Sequence, residues 1–181
     1  MIKDADEDKV NSLQQELKVH PVICKLLVQR GIYSYEAAKK FFRPAITDLH
    51  DPFIMKDMEK AIDRIDKAIT NNQRILIYGD YDVDGTTSVA LAFSFFNSIY
   101  KNIDYYIPDR YLEGYGISIK GIDYAKSTNC DLVIALDCGI KAVDKIEYAN
   151  SIGVDFVICD HHIPGDTVPA AYAVLDPHQP D

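Results

Sequence analysis

From Arg74 onward the chain alternates between short apolar runs and longer segments with apolar residues at helical spacing. Residues 75–78, 103–107, 132–136 and 156–159 are apolar, β-branched or aromatic, and 171–175 adds a weaker candidate. Between them, 86–99, 118–127 and 141–151 predict helices. Strands buried on both faces and alternating with helices imply βαβ units, so the expected class is α/β, a parallel β-sheet flanked by helices.

The first part of the chain reads differently, as helices without strand alternation. One helix is expected over 6–17 and another over 22–29, with Pro21 at its start and Gly31 just past its end. Ser34 caps a third over 35–42, with Glu36 in its first turn and Pro44 closing it. A fourth, over 57–70, places Met58, Ala61, Ile62, Ile65, Ala68 and Ile69 on one stripe. The expected division is a helical leader over 1–72 and an α/β domain over 73–181.

Polar residues gather directly after the apolar runs. The first leads into Gly79-Asp80-Tyr81-Asp82-Val83-Asp84-Gly85 and the second into Pro108-Asp109-Arg110. The third leads into Asp137-Cys138-Gly139 and the fourth into Asp160-His161-His162. The carboxyl ends of parallel strands share one edge, where ligand crevices form. These four distant clusters should therefore meet.

A single Asp-Gly pair would say little, because both residues suit turns. Three alternating carboxylates after a buried strand repel one another unless cations neutralise them, which points to metal at Asp80, Asp82 and Asp84. Asp137, taken alone, could equally cap the next helix. Adjacent imidazoles beside a carboxylate suit a transition-metal or Mn²⁺/Mg²⁺ site. Neighbours cannot all face one ion, so one His is expected to ligate and the other to face substrate. Arg110 offers a guanidinium for a phosphate or carboxylate, with an ion pair to Asp109 or Glu113 as the alternative.

Other readings fail on spacing. An EF-hand loop would need its bidentate Glu where Leu91 stands. Gly114-Tyr115-Gly116 lacks the third glycine of a dinucleotide loop, because Ile119 holds that place, and no P-loop lysine motif exists. No nucleotide cofactor is expected.

Composition changes the picture little. The 181 residues include four cysteines, none in a CxxC pair, as expected of reduced thiols in a cytoplasmic protein. The acidic start is no secretory signal, and no apolar run is long enough for a membrane helix. A net charge of −9 argues against a polyanionic substrate, except that bound divalent cations would reverse the sign locally.

In this order the motifs resemble those of the DHH phosphoesterase superfamily, whose signature is Asp160-His161-His162. Ile-Tyr-Gly-Asp-Tyr-Asp-Val-Asp-Gly-Thr-Thr-Ser and Tyr-Ile-Pro-Asp-Arg-Tyr-Leu-Glu-Gly-Tyr-Gly-Ile resemble its RecJ-like single-strand-specific exonucleases. Leu175-Asp176-Pro177-His178-Gln179 and the upstream Leu-Leu-Val-Gln-Arg-Gly-Ile extend the resemblance over nearly the whole chain. It implies that Asp82 and Asp84 bind two metal ions, Mn²⁺ or Mg²⁺, that Asp137 bridges them and that His161 joins the second. Asp80 would be a further ligand, His162 would contact or protonate the phosphate, and Arg110 would help hold it. Two such ions, about 3.5–4 Å apart, activate water and stabilise both oxygens of an in-line displacement. Some relatives place a His where this chain has Tyr78, a departure that concerns the first ion's shell.

The implied activity is 5′→3′ hydrolysis of single-stranded DNA in repair and recombination. RecJ-like proteins continue into a further ligating Asp and a second domain, so the expectation is an amino-terminal part, cut mid-motif and weak or inactive alone. Two rivals remain. One is a phosphodiesterase or pyrophosphatase acting on small substrates, and the other a non-catalytic DNA-binding domain of the same fold.

Overall fold

A computed structural model describes residues 4–179, so Pro180 and Asp181, the end of the motif expected to be cut short, lie outside it. The chain forms two compact units, 1–51 and 52–181. In the first, α1 (Glu7–Leu17), α2 (Pro21–Val28) and α3 (Tyr35–Phe42) enclose a small core of Val10, Leu13, Cys24, Leu27, Val28 and Ala38. Asp6 and Ser34 cap α1 and α3 through their side chains, and Pro21 opens α2.

The second unit holds α4 (Met58–Thr70), β1 (Arg74–Gly79), α5 (Val83–Ile99), β2 (Ile103–Tyr106) and α6 (Ile119–Ser127). It continues with β3 (Cys130–Leu136), α7 (Val143–Ser151), β4 (Asp155–Cys159) and β5 (Ala173–Leu175). The five strands form one parallel sheet in the order β2-β1-β3-β4-β5, as the sequence pattern predicts.

Alternation along each strand feeds two cores. Leu76, Tyr78, Val133, Ala135, Phe156 and Ile158 pack with Ile122, Ala125, Ile146 and Ala149 of α6 and α7. Ile75, Ile77, Leu132, Ile134 and Val157 pack on the other side with Ala61, Ala68 and Val89 of α4 and α5.

The compact unit takes in more chain than the expected 73–181 domain, because the apolar stripe of α4 packs on β3 and β5. Arg64 of α4 is almost fully buried and ties the helix to the amino-terminal edge of the sheet. Its Nε donates to Asp155 Oδ2 at 2.7 Å, Nη1 to Gln73 Oε1 at 3.0 Å and Nη2 to the Asp131 carbonyl at 3.2 Å.

Helix α5 starts at Val83, three residues earlier than its apolar pattern suggests, with Asp82 as N-cap. The early start requires close packing on the end of β1. A Cβ on Gly85 would lie 2.4 Å from the Asp80 carbonyl oxygen, and one on Gly79 2.9 Å from the Gly85 oxygen. Only glycines allow that approach.

Candidate metal centre

The carboxyl ends of β1, β3 and β4 carry the groups singled out in the sequence, and most of them converge. Asp137 follows β3 in the left-handed region (φ 59°), a conformation that Asp tolerates better than most residues and that recurs at functional sites. Its amide still pairs with the Cys159 carbonyl at 2.9 Å, which pins the turn to β4. His161 Nε2 lies 3.0 Å from Asp137 Oδ1. Ligand atoms of Asp137, His161 and His162 all lie within 4.8 Å of one another.

Asp80, directly after β1, is fully buried. Its Oδ1 accepts from the Tyr81 amide at 2.7 Å, whereas Oδ2 is buried with no hydrogen-bond partner. Burial raises the Asp80 carboxyl, and the charges of Asp82 and Asp137 push the same way. Asp137 is also raised, first by burial and then by Asp82, against the pull of His161. Three mutually repelling carboxylates, one with an orphaned buried oxygen, form an anionic pocket that a cation would stabilise.

Carboxylate oxygens with imidazole nitrogen suit a divalent ion such as Mn²⁺ or Mg²⁺, and the ligand atoms of Asp137, His161 and His162 are close enough to share one.

Asp82, which is exposed, accepts from the Gly85 amide at 2.9 Å through Oδ1 and so caps α5, and its charge helps to raise Asp80 and Asp137. Asp84 is exposed in the first turn of α5, and among the described residues no contact joins its carboxylate to the cluster. Arg110 pairs with neither acid considered for it. Glu113 is bound instead by the Asp109 amide and the Tyr106 and Ser118 hydroxyls, and Asp109 accepts from the Tyr111 and Leu112 amides. The Arg110 guanidinium lies over the Tyr81 ring, 5.4 Å from its centroid. Tyr78, where some relatives have His, is buried in a structural role: its hydroxyl donates to the Gly116 carbonyl and accepts from the Ser118 amide.

Sequence reasoning assigned no role to Asp160, which organises this edge of the site. Its amide donates to the Leu175 carbonyl, and Oδ2 accepts from the Ile140 amide at 2.9 Å. Oδ1 receives the His161 and His162 amides and lies 2.7 Å from His162 Nδ1. Burial alone would raise this carboxyl, but those donors outweigh it and hold it below the ordinary value. Beside ionised Asp160, His162 is raised, with Nδ1 lying 2.7 Å from Asp160 Oδ1.

Tyr115 was missed as well. Its hydroxyl lies 3.3 Å from His162 Nε2, and burial with the surrounding carboxylates pushes it up to about 12, so it stays a donor. Asp-His-His at a strand end hinted at the role of Asp160, since an Asp readily binds the amides that follow it. No local signal marked Tyr115.

The model of the DHH family, N-terminal domain, matches residues 74–181. The chain is 41% identical over 179 residues to the single-stranded-DNA-specific exonuclease RecJ of Bacillus subtilis (strain 168), covering 99% of this chain and 23% of that protein. It is 32% identical over 181 residues to the same-named protein of Escherichia coli (strain K12), covering 99% and 30%. Among solved structures, exonuclease RecJ bound to manganese matches with a TM-score of 0.64 and 29% identity, over 71% of this chain and 33% of that one. RecJ of Thermus thermophilus in complex with Mn²⁺ shares the fold, with a TM-score of 0.72 at 23% identity over 97% and 24% of the two chains. The chain thus spans a quarter to a third of the length of these relatives.

Proposed function

This chain belongs to the DHH family, and from that membership we propose that it forms the amino-terminal catalytic part of a RecJ-like exonuclease. The reaction is hydrolysis of phosphodiester bonds in single-stranded DNA from the 5′ end, with two divalent ions, Mn²⁺ or Mg²⁺, as cofactors. The observation that carries the reading is the cluster of Asp137, His161 and His162, with ligand atoms within 4.8 Å of one another, at the same strand edge as the buried Asp80, whose Oδ2 has no hydrogen-bond partner. Likeness to single-strand-specific exonucleases along nearly all of this chain supports the choice of substrate.

In this reading Asp137 and His161 hold metal with Asp80 and Asp82, and Asp84, exposed in the first turn of α5 and outside the cluster, is a further ligand on the strength of the family resemblance alone. The ions, once bound, supply Lewis-acid activation of water and charge neutralisation at the phosphate. Asp160 orients the His162 ring through Nδ1, and His162 contacts or protonates the phosphate. Arg110, on the loop after β2, supplies a permanent positive charge for a phosphate oxygen. Roles in DNA repair and recombination, and a cytoplasmic location, complete the proposal. Four free cysteines accord with a reducing compartment, and among the described residues no helix is long and apolar enough to cross a membrane.

The test is Mn²⁺-dependent release of nucleotides from 5′-labelled single-stranded DNA by this sequence extended to the length of its relatives. Asp137→Ala should abolish release and weaken Mn²⁺ binding by the 181-residue chain itself. Near-normal turnover in that variant would refute the proposed centre.

A further inference from the structure

The amino-terminal unit has an apolar surface that its own core does not use. Cys24, Leu27 and Val28 of α2 belong to that core, yet Val22, Ile23 and Leu26 of the same helix are exposed. Lys25 is the one charged residue in α2. A helix that is apolar all round is ordinarily covered on every side. A cavity beside it is lined by Val19, Ile23, Tyr35 and Phe42, all exposed, together with Lys39 and Arg43. We propose that this surface docks an amphipathic helix of a protein partner, with apolar side chains against Val19, Ile23 and Phe42 and carboxylates paired to Lys39 and Arg43. The proposal concerns a partner and is independent of the chemistry at the metal centre.

Charge decides what the partner carries. Other basic side chains of this unit are engaged: Lys25 lies 3.4 Å from Glu7, Lys40 lies 3.2 Å from Asp48, and Arg30 donates to the Leu26 carbonyl. Lys39 and Arg43 are exposed, and among the described residues no hydrogen bond or ion pair engages their side chains. They stand four residues apart at the end of α3, where like charges repel, and an acidic partner would remove that cost. Glu16 of α1 does not supply the counter-charge, since it accepts from the Tyr35 amide at 2.9 Å. In a protein of net −9, two unpaired cations beside one apolar surface select an acidic ligand.

A helix suits this surface better than a nucleic-acid strand. A strand needs cations along its backbone and rings on which successive bases stack. Here there are two cations, and Val19, Val22, Ile23 and Leu26 make the surface largely aliphatic. An amphipathic helix presents apolar side chains at i, i+3, i+4 and i+7, the spacing that fills a groove lined by other helices.

The probe is a fluorescein-labelled helical peptide of about 14 residues, with leucines at i, i+3, i+4 and i+7 and glutamates flanking them. Fluorescence anisotropy with the 181-residue chain should show saturable binding that weakens in added salt, and none for a scrambled peptide of the same composition. Lys39→Glu combined with Arg43→Glu should weaken binding about tenfold or more. Lys39→Gln combined with Arg43→Gln should fall between that variant and the parent, a grading that misfolding would not reproduce. Ile23→Ser should weaken binding and leave its salt dependence in place. Equal binding of the two peptides, or full affinity in the charge-reversed chain, would overturn the proposal. Tighter binding of labelled oligothymidine at the same residues would overturn it in favour of a nucleic-acid surface. Dimers of the 181-residue chain that Leu26→Asp disperses would make a second copy the occupant instead. Loss of peptide binding when the sequence is extended to the length of its relatives would give that place to the protein's own continuation.

Discussion

Glu113 looks like an ordinary loop acid in the sequence, yet its side chain is almost wholly enclosed. Its carboxylate accepts from the Asp109 amide at 2.9 Å, the Tyr106 hydroxyl at 2.9 Å and the Ser118 hydroxyl at 2.6 Å, with Lys120 at 3.7 Å. These contacts fasten the loop that carries Arg110 and Tyr115. Replacing Glu113 with Gln keeps the shape and removes the charge.

A hydrogen bond to a charged group contributes about 1.5–3 kcal/mol and a neutral one about 0.5–1.5. Three donors therefore lose about 3 kcal/mol together. A neutral amide avoids part of the cost of burying charge, which leaves a net loss of about 2 kcal/mol. For a chain of this size that lowers the melting temperature by about 4–8 °C.

The sign with pH is fixed. Burial raises the Glu113 carboxyl, but the four partners outweigh it and hold the group below its ordinary 4.5. Its contribution is present above that value and fades as pH falls through the lowered folded-state value. Urea unfolding of both proteins from pH 7 down to pH 4 should show a deficit that narrows toward acid. A variant as stable as the parent at neutral pH, or a deficit that ignores pH, would refute this account of the loop.

Asp80→Asn should stabilise the metal-free chain by about 1 kcal/mol, because it removes a repelled, partly unsatisfied buried carboxylate. The same change should erase the rise in melting temperature on adding Mn²⁺, and a full Mn²⁺ response in the variant would exclude Asp80 from the centre. Arg64→Met should cost about 3 kcal/mol by urea unfolding, since it strips partners from Asp155, Gln73 and the Asp131 carbonyl. Parent-like stability would mean that packing of the α4 stripe alone holds that helix on the sheet.

Periodicity made the sheet legible because the central strands β1, β3 and β4 are apolar on both faces, the pattern of a parallel sheet covered by helices. It also placed the acidic and imidazole clusters, because parallel strands share one carboxyl edge. What it could not convey was aim. Asp82-Val83-Asp84 reads as a loop, and Gly85 strengthens that reading because glycine costs a helix about 1 kcal/mol relative to alanine. The glycine is required by a contact invisible locally, the approach of α5 to the Asp80 backbone.

The stripe on α4 was equally plain, but nothing in residues 57–70 says that the surface covering it is a sheet. At Asp160-His161-His162 the limit is sharpest. Asp160 turns inward to the Ile140 amide while His161 reaches Asp137. Three consecutive polar residues at a strand end thus divide into one inward anchor, one imidazole beside Asp137 and one beside Tyr115. The division is set by β3 and β5, whose loop and ladder supply the Ile140 amide and the Leu175 carbonyl, and not by the three residues themselves.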